Sequence, residues 1–142
     1  MALYFDTSAL MPYYRQEASS EHVQRLLERQ REPVLISHLS QVEFASVLAR
    51  WVRMKDLTEA HANSIEAAFQ QDLDEGRFVV KILTRGHFQR AYRWLLARKT
   101  ALRTLDALHL ACAAGYDAMF VSLDDVQCAA ADFVGLNVLQ PK

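Results

Sequence analysis

The chain is poor in cysteine: it has two, Cys112 and Cys128, both in apolar helical surroundings. That excludes a disulfide scaffold and leads us to expect buried thiols in a reducing compartment. Cysteine and histidine nowhere take zinc-type spacing, and no Ser–His–Asp or Cys–His arrangement for nucleophilic catalysis is present. No apolar run approaches the roughly 20 residues that a membrane-spanning helix needs. Repeats, low-complexity tracts and linkers are also missing, and 142 residues are expected to form a single domain, 1–142. The net charge is only −1, so the molecule as a whole is no electrostatic binder of nucleic acid, and any basic surface must be local. The first strand begins near Ala2, which leaves no room for a secretion signal. A cytoplasmic location and no membrane partner are the resulting expectations.

Apolar residues make up 51% of the chain, enough for a sizeable core. Short apolar runs predict strands at 2–5, 34–36, 78–82, 118–121 and 137–139. Between them lie stretches of helical periodicity. One follows Asp6-Thr7-Ser8, and a second opens at Ser19 or Ser20. Ser40 starts a third and Thr58 a fourth that Gly76 ends. Two more run from Thr84 to about Lys99 and from Leu105 to Ala114, the latter stopped by Gly115. The last runs from Asp124 to Phe133. Strands alternating with helices predict an α/β fold, a mainly parallel central sheet of about five strands flanked by helices on both faces.

Four acids stand out by position. Asp6, Glu43, Asp106 and Asp124 each follow a predicted strand directly or lie in the opening turns of a helix. Each has a local explanation. Asp6 and Asp124 suit helix caps, Asp106 complements a helix dipole, and Ser40-Gln41-Val42-Glu43 fits a capping box in which Glu43 reaches back to Ser40. Jointly they fall at one edge of the topology, where ligands of open α/β sheets bind. Carboxylates brought together there repel one another, and a hard cation such as Mg2+ or Mn2+ would relieve that repulsion.

A strand ending in Asp6-Thr7-Ser8-Ala9-Leu10, then Ser40-x-x-Glu43, then Leu105-Asp106-Ala107-Leu108-His109-Leu110-Ala111, then Phe120-Val121-Ser122-Leu123-Asp124, resembles the PIN domain. More narrowly it is similar to the toxins of VapBC-type toxin–antitoxin pairs. The resemblance covers nearly the whole chain and places the family's acids on Asp6, Glu43, Asp106 and Asp124. Asp124 is preferred to the adjacent Asp125 because Ser122 stands two residues before it.

The resemblance implies a PIN-like α/β/α sandwich and an Mg2+- or Mn2+-dependent endoribonuclease with an RNA substrate. It further implies a cognate antitoxin protein and a homodimer. Asp6 and Asp106 would be the main metal ligands, Asp124 would hold the same or a second ion, and Glu43 would position a water or serve a second ion. Thr7, Ser8 and Ser122 would hydrogen-bond the cluster or cap helices. The alternative is a PIN-like module that binds RNA or protein without cleaving. A receiver domain or a haloacid-dehalogenase-type phosphatase fits worse, because Leu83-Thr84 offers no acceptor acid and Ser8 stands where the phosphatase wants aspartate.

Other residues carry weaker expectations. From Thr84 to Leu105 there is no acid, only Arg85, Arg90, Arg93, Arg98, Lys99 and Arg103 as charges, an expected path for an RNA backbone. Arg50, Arg53 and Lys55 are the second choice. His109 lies one helical turn from Asp106 and reads as a core or supporting histidine. Tyr13, Tyr14, Trp51 and Phe69 are candidates for an exposed partner surface.

Overall fold

Successive side chains of a strand point to opposite sides of its sheet, and β1 (Leu3–Phe5) already divides the molecule by this rule. Leu3 and Phe5 enter one apolar cluster and Tyr4 the other. The computed structural model describes all residues 1–142. Five strands, β1, β2 (Val34–Ser37), β3 (Phe78–Lys81), β4 (Met119–Val121) and β5 (Val138–Leu139), form one sheet in the order β3-β2-β1-β4-β5. Every pairing is parallel; Tyr4, for example, stands opposite Leu35 on one side and Phe120 on the other. Central strands of such a sheet are covered on both faces and so read as unbroken apolar runs.

Seven helices cover it. On one face lie α1 (Thr7–Leu10), α2 (Ser20–Glu28), α3 (His38–Arg53) and α4 (Glu59–Asp74), packed through Leu10, Val23, Leu27, Phe44, Leu48, Ile65 and Phe69. On the other lie α5 (Arg85–Ala97), α6 (Thr104–Gly115) and α7 (Asp125–Phe133), packed through Ala91, the run Ala107–Ala113, Ala130 and Ala131. The predicted α/β/α sandwich is the observed fold. One short 3-10 turn, Met11–Tyr13, is added after α1 and takes Pro12 into its start.

Two expectations about helix ends and one about an exposed surface are corrected. Helix α3 opens at His38, and Ser37 is its cap; Ser40 closes the capping box backward onto the amide of Ser37, so Glu43 is not the capping acid. Gly115 is the last residue of α6 and has no left-handed backbone; the left-handed residue is Asp117, with φ of 54°. Phe69 is buried against Phe44, with rings stacked 4.2 Å apart, and Tyr14 donates to Asp72, so neither belongs to an exposed patch. The exposed aromatic stripe lies instead on α5, at Phe88 and Tyr92, continued by Leu96.

The sheet order places a topological switch between β1 and β4. From β1 the chain winds outward through β2 to β3, then returns to the other side of β1. Crossovers diverge there, and a crevice opens beyond the carboxyl ends of the two strands. The two buried cysteines are both free; burial pushes the Cys112 thiol up to about 11. No helix is long and apolar enough to cross a membrane.

Candidate active site

Asp6 ends β1 at this crevice. Its amide donates to Val121 O of β4 at 3.1 Å, which ties the two strands together at their carboxyl ends. Its side chain caps α1 by accepting from the amide of Ala9 at 3.1 Å. Two hydroxyls complete the grip: Ser8 donates to Oδ1 at 2.7 Å and Ser122 to Oδ2 at 2.6 Å. Ser8 and Ser122 themselves stand 3.2 Å apart, and Ser8 Oγ accepts from the amide of Leu123. A carboxylate so enclosed is expensive to ionise. Burial pushes the Asp6 pKa up, against the opposing pull of Ser122, Ser8, His109 and the Ala9 amide.

Glu43 stands in the second turn of α3, at the end of β2. Thr7 donates to its Oε1 at 2.6 Å, and Nε2 of His109 contacts the same oxygen. Burial pushes Glu43 up, but the hydrogen bond and charge of His109, joined by Thr7, outweigh it and hold the carboxyl below its usual range. The neighbouring carboxylates therefore depart in opposite directions, a separation typical of functional sites.

Asp124 caps α7. Its Oδ1 accepts from the amides of Val126 and Gln127 at 2.9 and 3.2 Å. Asp106 sits in the first turn of α6 and faces Arg103, whose Nε lies 3.6 Å from its Oδ2. Gln127 links the two helices by donating to the backbone oxygen of Asp106. Asp125 turns toward Gln140, which donates to it at 2.7 Å.

A cleft of about 590 Å3 opens over this edge. Thr7, Ser8, Glu43 and Asp124 line it, with Leu105 and Leu123 between them. Asp6 lies beneath this surface under the two serines. Asp106 is not among the lining residues, although its neighbour Leu105 is. Arg50, the second choice for an RNA path, and Trp51, expected on a partner surface, also line the cleft, as does Glu17, which no sequence signal singled out. Arg50 and Trp51 follow Glu43 by seven and eight residues, two helical turns, and that spacing was the available signal. Of the acid-free stretch, Arg103 meets Asp106, while Arg85 and Arg93 border a different, apolar groove between α5 and α6.

The donor set is suited to a hard divalent cation, since it consists of carboxylate and hydroxyl oxygens. Glu43 Oε2, Asp124 Oδ2 and Asp106 Oδ1 receive no hydrogen bond from the protein. Each acid is otherwise turned onto protein donors, and no three acidic, histidine or cysteine side chains stand together as a ready ligand group. Of the four acids expected to converge, Glu43 and Asp124 share the cleft, Asp106 does not line it, and Asp6 is buried and linked through Ser122 and Ser8 to the loop that carries Asp124.

The family model for the PIN domain matches residues 3–133, and the chain belongs to the PIN-domain family. Solved structures agree on the fold. FitAcB from Neisseria gonorrhoeae is 17% identical, with a TM-score of 0.73 and 96% of each chain covered. The toxin VapC20 of Mycobacterium tuberculosis, described as cleaving the sarcin–ricin loop, is 17% identical with a TM-score of 0.69, over 91% of this chain and 95% of its own. A toxin–antitoxin complex from Klebsiella pneumoniae is 20% identical with a TM-score of 0.67, over 100% of this chain and 98% of its own. No curated protein sequence matches the chain at a significant level.

Proposed function

We propose that the chain is a metal-dependent endoribonuclease of the toxin type, acting at Asp6, Glu43, Asp106 and Asp124 and neutralised by a cognate antitoxin protein. The observation that carries this reading is the cleft at the β1/β4 switch point, where Glu43 and Asp124 present unbonded carboxylate oxygens above the buried Asp6. The cleavage of the sarcin–ricin loop by VapC20, similar in fold, supports RNA as the substrate class. The Klebsiella complex supports a protein antitoxin.

The four carboxylates would hold Mg2+ or Mn2+, and the ion would supply activation of a water and charge stabilisation for phosphodiester hydrolysis. The remaining tasks fall to the protein. Asp6 is locked by Ser8 and Ser122, so its orientation precedes ligand binding. Arg50 offers a guanidinium to a phosphate entering the cleft, and Trp51, which Arg15 covers at 4.3 Å, walls one side. An antitoxin segment across α2, α3 and α4 would bring a basic group to the acids and compete with both cation and substrate. The exposed stripe Phe88, Tyr92 and Leu96 repeats every four residues on α5, and a two-fold pairing of such a helix is self-complementary. A homodimer through α5 is the assembly we assign to it.

Purified protein incubated with structured and single-stranded RNA tests the reading. Cleavage is expected with Mg2+ or Mn2+ and is expected to stop in EDTA. Cleavage undiminished by EDTA sinks the metal mechanism. RNA bound without cleavage under every metal condition points to the non-catalytic module.

A further inference from the structure

Behind Glu43, a line of hydrogen bonds runs from the cleft into the hydrophobic core. Oε1 of Glu43 meets Nε2 of His109; Nδ1 of His109 lies 2.7 Å from the hydroxyl of Tyr4; that hydroxyl donates to Ser37 Oγ at 2.9 Å. The Tyr4 hydroxyl thus bridges Ser37 Oγ and Nδ1 of His109. The members come from β1, the end of β2, α3 and α6, and Tyr4, Ser37 and His109 are all buried. Packing leaves them little freedom: the Tyr4 ring stacks on Phe120 at 6.3 Å and lies 5.8 Å from the imidazole.

A core of this size does not need polar groups at positions 4 and 109. Phenylalanine and leucine would fill much the same volume without hydroxyl or imidazole desolvation, which costs free energy unless every group is paired. Here every group is paired, and the line ends on one oxygen of one cleft carboxylate. Thr7, from the other side, reaches the same oxygen. Two donors therefore pin Oε1 and leave Oε2 to the cleft.

We propose that Tyr4 and His109 are positioning residues that hold the Glu43 carboxylate with Oε2 presented to the divalent cation. The proposal rests on the reading of Glu43 as a metal ligand. An imidazole bonded at both nitrogens cannot turn about its ring axis, so Glu43 loses its alternative orientations before the ion arrives. Loss of such a supporting hydrogen bond costs roughly 10- to 100-fold in metal affinity.

The experiment titrates Mn2+ by calorimetry into the metal-free full chain as wild type, Glu43→Gln, His109→Leu, His109→Gln and Tyr4→Phe, with a thermal melt for each. His109→Leu is expected to bind Mn2+ roughly 10- to 100-fold more weakly. His109→Gln, whose carboxamide still donates toward Glu43, is expected to recover most of that loss, whatever its effect on stability. Tyr4→Phe is expected to weaken binding several-fold and to shift the Glu43 side-chain carboxyl resonance in 13C spectra of the metal-free protein. If Glu43→Gln weakens binding while His109→Leu does not, positioning is overturned and the metal site stands. If Glu43→Gln binds Mn2+ as wild type does, the ligand role of Glu43 fails and the proposal with it. Should His109→Leu not fold, Tyr4→Phe decides: an unmoved resonance and unchanged affinity overturn the proposal.

Discussion

Burial pushes both Asp6 and Glu43 up, yet their net departures from the ordinary carboxylate range have opposite signs. The Asp6 pKa is raised chiefly by desolvation, so its ionised form is disfavoured in the folded state. Its ionisation therefore subtracts stability as pH rises from the unfolded value, about 3.9, through the higher folded value, and the full penalty is present above that folded value. Glu43 is held below its usual range despite burial, because His109 and Thr7 outweigh desolvation. It contributes stability above the unfolded value of about 4.3, and that contribution is lost as pH falls through the folded value. Asp6→Asn should thus melt higher than wild type at pH 7 while losing cleavage by roughly 100-fold or more, as expected for a metal ligand. Glu43→Gln should melt lower at pH 7. Both differences should shrink toward pH 3, and thermal melts at the two pH values check the opposite signs. Equal shifts of one sign in both variants would contradict the assigned environments.

Helix ends show how local signals acquire a tertiary purpose. Gly115 looks like a stop for α6, and the helix does end there, but its backbone does not require glycine. The requirement is space: a Cβ at Gly115 would lie 2.1 Å from Nε2 of His87. His87 is the third residue of α5, and its Nδ1 accepts from the amide of Thr84 while Thr84 Oγ1 accepts from the amide of His87. Close packing of α6 on α5 thus keeps the α5 capping box intact. Gly115→Ala should displace His87, open that box and destabilise the protein by about 1–3 kcal/mol, measured by denaturant unfolding. His87→Ala in the same background should recover part of the loss, since the clash disappears.

At the level of the whole molecule, charge and apolar surface are separated. Arg50 stands on the cleft with Glu43 and Asp124, while Arg85 and Arg93 stand beside the apolar groove of α5 and α6. Charge reversal at Arg50 should weaken metal-free RNA binding and reduce its salt dependence by about one log–log unit or less. Reversal at Arg93 should leave RNA binding closer to wild type, which filter binding at several salt concentrations will measure. Tyr92→Glu places a charge in the middle of the exposed α5 stripe and should convert a dimer to a monomer in sedimentation at micromolar concentration. A wild-type chain that is monomeric there removes the dimer and leaves the nuclease reading intact.

Local patterns were sufficient for the layers of this fold. Apolar runs of strand length between amphipathic stretches have few ways to bury both faces except as a parallel sheet between helices. Asp6 and Asp124 were legible because a cap is a local hydrogen bond, decided within three residues. The partners of Glu43 were not legible. Ser40-x-x-Glu43 matches a capping box, yet Ser37 takes the cap and frees Glu43 for Thr7 and His109, which lie 36 and 66 residues away. Tyr4 gave no sign beyond being apolar enough for a buried strand, because its hydroxyl acquires meaning only when β1 is laid against α6. Which residues could cap, bury and carry charge was already set along the chain, since those are short-range properties of side chain and backbone. The three-dimensional packing decided which Glu43 oxygen is pinned and which is left without a protein donor, because hydrogen bonds between distant segments exist only after the sheet has closed.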